Sequence, residues 1–124
     1  MQRFDVESLS EKTRRLTHPY LEFLRVPTMS AGIYYLAAGA TDGQQPHTED
    51  ELYVVLHGSA TLRVGDEDTV VSTGSAVFVP ARASHHFHSV EEDLAVLVLF
   101  APAEYSQAAA EANTSDANQT NPPE

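Results

Sequence analysis

Between residues 20 and 101 the chain is cut into short extended runs by turn residues, and no interval is long and periodic enough for a crossover helix. The runs fall at about 20–26, 31–38, 51–57, 59–65, 68–72, 76–79, 85–90 and 94–101. The breakers are Pro27, Gly39 with Gly43 and Pro46, Gly58, Gly65-Asp66, Gly74, Pro80 and Glu91-Glu92-Asp93. Many short strands with regular turns predict an all-β sandwich or barrel. The 124 residues, 42% of them hydrophobic, suffice for one domain around one modest core.

The flanks differ from this middle. Residues 1–19 read as a helical leader: Ser8-Leu9-Ser10-Glu11 has the spacing of a capping box, Lys12, Arg14 and Arg15 suit the later turns, and Pro19 closes the segment. Residues 106–124 contain no branched aliphatic and no aromatic side chain, and are expected to form a disordered polar and acidic tail without a site. The expected organisation is therefore a leader at 1–19, a β-barrel domain at 20–105 and a tail at 106–124. Within the barrel, Leu52–Leu56 and Leu94–Phe100 are apolar on both strand faces. One face fills the core, and the other needs a second sheet, the leader or another subunit, so a homodimer is expected.

Seven basic against eighteen acidic residues give a net charge of −11, which opposes binding to nucleic acid and to anionic membranes. There is no cysteine, which excludes disulfides, thiolate zinc sites and cysteine nucleophiles. No apolar run reaches the length of a membrane span, and Met1 opens onto polar residues, so a soluble cytoplasmic protein is expected. Serine-nucleophile and phosphate-loop motifs are missing. Any chemistry falls to carboxylates and to the six histidines.

Two segments gather those groups. In the first, Gly39 is followed by Gln45-Pro46-His47, then Glu51, then Gly58; in the second, Gly74 is followed by Pro80, Arg82 and His85. These segments resemble the two metal-site motifs of the cupin superfamily. Gly39, His47, Glu51 and Gly58 fall at the spacing of its first motif, and Gln45 stands where a histidine belongs. Gly74, Pro80 and His85 match the second, while Arg82 replaces a glycine and Ser89 an asparagine. Reading His47-Thr48-Glu49 as the histidine pair instead puts Tyr53 or Val54 in place of the acid and abandons Gly39, so the first register is preferred. The resemblance covers about residues 30–101.

The resemblance implies a double-stranded β-helix, or jelly-roll, barrel with a mononuclear divalent metal on His47, Glu51 and His85. Residues two apart on a strand share a face, so Gln45 would point inward with His47. Two imidazoles and a carboxylate with open positions suit Fe(II), which puts iron or manganese ahead of zinc, nickel or cobalt. Gln45 is either a weak fourth ligand or a hydrogen-bond donor to substrate.

Other residues take lesser roles. Tyr53 follows Glu51 on the inward face, and the two are the candidate catalytic groups, Tyr53 as barrel filling or as an acid near the metal. Phe87 is expected to fill the barrel, His86 and His88 to face away from His85, and His57 and His18 to sit in turns. Glu49-Asp50 reads as a solvated turn, with Glu49 otherwise a base or rim charge beside the ligands. Arg25 reaches inward to hold a carboxylate or outward to solvent, and one ring of the Tyr34-Tyr35 pair must point in.

The functional expectation is a metal-binding cupin, dioxygenase-like, acting on a small organic molecule. The alternatives are a ligand-binding barrel with a decayed metal site, and a metal-dependent isomerase, decarboxylase or lyase.

Overall fold

The computed structural model describes residues 1–107. Its elements, in order, are α1 (Val6–Arg14), β1 (Tyr20–Val26), β2 (Met29–Leu36), β3 (Asp50–Val64), β4 (Glu67–Ser72), β5 (Ala76–Val79) and β6 (His85–Ala101). All strand pairings are antiparallel. This is the jelly-roll β-fold with a short N-terminal helix. Residues 108–124, most of the expected tail, lie outside the described residues.

The leader helix starts earlier than its sequence pattern implies. Asp5 is the N-cap, its side chain accepting from the Ser8 amide at 3.1 Å, so Ser8–Glu11 lies inside the helix. The helix ends at the Arg15 cap, before Pro19, and turns Ser10 and Thr13 inward against the barrel. His57 meets it from β3, with Nε2 3.0 Å from the Glu7 carboxylate.

Eight expected runs become six strands because two breaks are bulges rather than ends. The β3–β6 ladder shifts register around His57 and Ser59, with Gly58 at φ +93°. A Cβ on Gly58 would collide with the Asp93 carbonyl oxygen, so only glycine lets the two backbones pass this closely. His57 is accordingly a mid-strand bulge residue, not a turn residue.

The six strands form one continuous sheet, which the bulges in the long strands fold into two layers, a first and a second sheet of the barrel. Residues 50–57 of β3 pair with the second half of β6 and with β5, and β2 and β1 extend that sheet. Residues 59–64 of β3 pair with the first half of β6 and with β4. Both layers feed one core, including Tyr53, Val55, Leu62, Val71, Phe87, Leu94, Val96 and Phe100. The alternation predicted for strands then sorts the aromatic pairs: Tyr34 is buried and Tyr35 faces out, and Phe87 is buried between the half-exposed His86 and His88.

On the opposite face of the first sheet, Leu52, Val54, Leu97 and Leu99 are only half-buried, and Phe78 of β5 is 58% exposed. No helix among the described residues is long and apolar enough to cross a membrane.

Candidate metal centre

Glu51 is the second residue of β3 and His85 the first of β6. In the ladder they are far apart: Glu51 pairs with Phe100, and His85 with Val64. Yet the curled sheet brings His85 Nε2 to 3.1 Å from Glu51 Oε1. His47 comes from the loop before β3 and places Nδ1 3.5 Å from the same oxygen. The three side chains are almost wholly buried, at 7%, 2% and 4% exposure for His47, Glu51 and His85.

One donor atom from each residue lies within 4.8 Å of the other two. His47 Nδ1, Glu51 Oε1 and His85 Nε2 are also buried without a hydrogen-bond partner. Three buried donor atoms converging without hydrogen-bond partners are costly unless something positive satisfies them together. Two imidazole nitrogens and a carboxylate oxygen form a donor set that fits a divalent ion.

The second ring nitrogens are held. His85 Nδ1 lies 2.8 Å from the Ala83 carbonyl, to which it donates, so Nε2 is the nitrogen that faces Glu51. His47 Nε2 lies 2.9 Å from Glu104 Oε2. Burial alone would lower the pKa of His85, but the contact with Glu51 and its charge outweigh burial and raise it.

A cavity of about 410 Å³ opens beside the cluster. Its walls include Tyr20, Tyr34, Tyr53, Phe100 and Tyr105. The His47 ring packs between Phe100, with centroids 4.7 Å apart, and Tyr105, stacked at 5.3 Å. Gly32 makes room for the Tyr20 ring, since a Cβ there would overlap its hydroxyl. The Tyr20 hydroxyl is buried without a partner.

Tyr53 is 1% exposed and donates its hydroxyl to Gln44 Oε1 at 3.1 Å. Burial, then the neighbouring Glu51 charge, push its pKa well above the ordinary phenol value. Gln44 is held in turn by Asp42, a buried carboxylate that also accepts from the Tyr34 hydroxyl and the Phe87 amide.

Gln45 departs from its expected setting. Residues 41–47 form a loop rather than a strand, so strand parity does not apply, and Gln45 is an exposed residue lining the cavity while Gln44 turns its amide inward. Glu49 is no solvated turn residue: it is 1% exposed and bonded by both oxygens. Arg25 lies outside the cavity lining, paired with Glu22 at 2.9 Å and donating to the Glu104 carbonyl at 2.7 Å.

Asp42, Gln44, Glu104 and Tyr105 escape the motif reading. Asp42 and Gln44 sit inside a stretch that reads as turn residues, and Glu104 and Tyr105 follow the last strand, where no motif extends. An isolated acid and aromatic just past an apolar strand is the only signal available for the latter pair.

An antiparallel jelly-roll barrel with two histidines and a glutamate converging inside it defines a cupin-type site. The chain belongs to the cupin family: the family described as Cupin domain matches residues 32–101. An uncharacterized protein of Streptomyces coelicolor is 47% identical over 104 residues, covering 84% of this chain and 99% of its own. The TT1209 structure from Thermus thermophilus is similar at 27% identity and TM-score 0.67, over 83% of this chain and 99% of that one. The DMSP lyase DddQ from Ruegeria pomeroyi DSS-3 is 25% identical with a TM-score of 0.58, over 61% of this chain and 39% of that one.

Proposed function

We propose that the protein is a mononuclear metal-dependent enzyme acting on a small organic molecule, with His47, Glu51 and His85 as metal ligands. The observation that carries this reading is the convergence of three buried donor atoms that nothing in the described chain satisfies. A divalent ion there, iron or manganese ahead of zinc, nickel or cobalt, would supply a Lewis acid with open coordination positions. The three donor side chains are buried beside the cavity, whose volume suits a small molecule.

The chain's other groups then take defined parts. Gln45, at the exposed rim of the cavity, hydrogen-bonds a bound substrate rather than the metal. Tyr53 keeps its proton through the neutral range because burial and Glu51 raise its pKa, and its hydroxyl is a candidate proton carrier at the cavity wall. The open positions of the triad favour a dioxygen-using reaction. The likeness to a lyase makes elimination the second reading. The protein is read as a cytoplasmic homodimer, associating through the apolar face around Leu52, Leu99 and Phe78.

The test is elemental analysis of dialysed protein by plasma mass spectrometry, alongside His47→Ala and His85→Ala. Near-stoichiometric metal that disappears in both variants supports the site, and oxygen consumption against a panel of small oxygenated substrates then separates oxygenase from lyase. Metal that is substoichiometric, indifferent to both substitutions and not restored by added ions overturns the reading in favour of a ligand-binding barrel.

A further inference from the structure

The segment after β6 is built into the site. It leaves the last strand and crosses beside the β1–β2 hairpin, where the Ala103 amide reaches the Pro27 carbonyl at 3.4 Å and the Glu104 amide donates to the Ser30 hydroxyl at 2.9 Å. Arg25 holds the Glu104 carbonyl from the same side. On the other side, Glu49 accepts the amides of Tyr105 at 2.6 Å and Gln107 at 2.8 Å.

Glu49 explains why such a short segment stays put. It is a fully buried carboxylate with no basic side chain against it among the described residues, and its two oxygens take those two backbone amides and the Thr48 hydroxyl. A buried charge is tolerated when donors surround it, so releasing the segment would leave that charge without them. Glu49 is two residues from His47 and two from Glu51 in sequence, and it therefore ties the strap to the ligand loop itself.

The strap delivers two side chains to one imidazole. Glu104 Oε2 meets His47 Nε2 at 2.9 Å, and the Tyr105 ring stacks on the same imidazole at an interplanar angle of 28°. A proton on His47 Nε2 has the Glu104 carboxylate beside it as acceptor, which leaves Nδ1 turned toward Glu51 and His85. His85 is turned the converse way, with Nδ1 donating to the Ala83 carbonyl and Nε2 facing Glu51. His47 is the ligand most in need of such support, because it stands on a loop while Glu51 and His85 stand on strands.

We propose that Glu104 is a positioning residue for the metal centre, fixing the tautomer and orientation of His47 from a C-terminal strap that Glu49 anchors. The proposal rests on the reading of His47, Glu51 and His85 as metal ligands. A carboxylate behind a ligating histidine characteristically changes metal affinity about 10- to 100-fold when removed.

The experiment uses full-length wild type, Glu104→Ala, Glu104→Gln, Glu49→Gln and the Glu49→Gln/Glu104→Ala double variant. Metal affinity is read by competition of Co(II) against a chromophoric chelator, and the His47 ring by imidazole ¹H–¹⁵N resonances of metal-free protein. The expected results are an about 10- to 100-fold loss of Co(II) affinity in Glu104→Ala, a smaller loss in Glu104→Gln, which keeps an acceptor, and a double variant no worse than Glu104→Ala alone. In metal-free wild type the His47 Nε2–H is observable and protected from exchange, and in Glu104→Ala it is lost while the amide spectrum of the barrel is retained. Wild-type affinity in Glu104→Ala, or an unchanged His47 resonance there, overturns the proposal. Absence of Co(II) binding in wild type overturns the metal reading instead, and the metal-free His47 resonance still decides whether Glu104 holds the ring.

Discussion

Asp42 and Tyr53 do not touch, but Asp42 determines where the Tyr53 hydroxyl proton goes. Asp42 Oδ2 takes the Gln44 side-chain amide at 2.7 Å, which leaves Gln44 Oε1 facing Tyr53 as an acceptor at 3.1 Å. The phenol proton is thereby drawn toward Gln44, while the charge of Glu51 nearby helps to raise the phenol's pKa. A residue on the loop thus orders the hydrogen bonds of a strand residue beside the candidate metal ligands.

Asp42→Asn is expected to lower stability by about 2–4 kcal/mol, because one of the buried oxygens accepting from Tyr34, Gln44 and Phe87 would become a donor facing donors. Urea unfolding followed by circular dichroism measures this. A loss under about 0.5 kcal/mol would show that the network contributes little.

Gly58→Ala combines a positive φ with a clash against the Asp93 carbonyl, and is expected to cost about 2–4 kcal/mol. Gly65→Ala is the control, since its φ is also positive but no atom lies within 4 Å of the added Cβ. The difference between the two melting temperatures isolates the close strand approach from the backbone conformation.

Tyr34 has a pKa raised above its usual 10.0 by burial and by its bond to Asp42, and Tyr20 by burial and by the charges of Glu104, Glu22 and Glu51. A folded pKa above the unfolded one contributes stability that is whole below the unfolded value and is lost as pH climbs past it. Stability should therefore hold up to about pH 10 and fall beyond it. In a spectrophotometric titration, these phenols should ionise only with unfolding, whereas free ionisation near pH 10 in folded protein would contradict their burial.

Phe78→Glu replaces an exposed ring on the outer face of the first sheet. In a monomer this should change stability by no more than about 0.5 kcal/mol. If the face joins two copies, sedimentation equilibrium should show a dimer for wild type and a monomer for the variant. A monomeric wild type would remove the dimer from the functional reading.

Much of the architecture is written in local pattern. Turn residues and two-residue alternation identify the strands, and fixed motif spacing singles out His47, Glu51 and His85, the last two at strand starts and His47 on the loop four residues ahead of Glu51. Two kinds of feature are hidden. Gly58 reads as a strand terminator, although its value lies in a backbone contact with Asp93, a residue distant in sequence. Asp42, Gln44, Glu49 and Glu104 act through hydrogen bonds or an ion pair with residues elsewhere along the chain, several of them with backbone amides that every residue except proline possesses. Such bonds leave no periodicity, so polar residues in a loop look like solvated turns until the partner is seen.

The meeting of Glu51 with His85 has a mechanical consequence. Each belongs to one of two long strands that are zipped together along most of their length, and the two residues stand at opposite ends of that zipper. Their contact exists only because the ribbon folds back on itself at the bulges. An ion shared between them would rivet the ribbon into its bent shape, so that the bulge at Gly58 and the imidazoles would share one mechanical constraint.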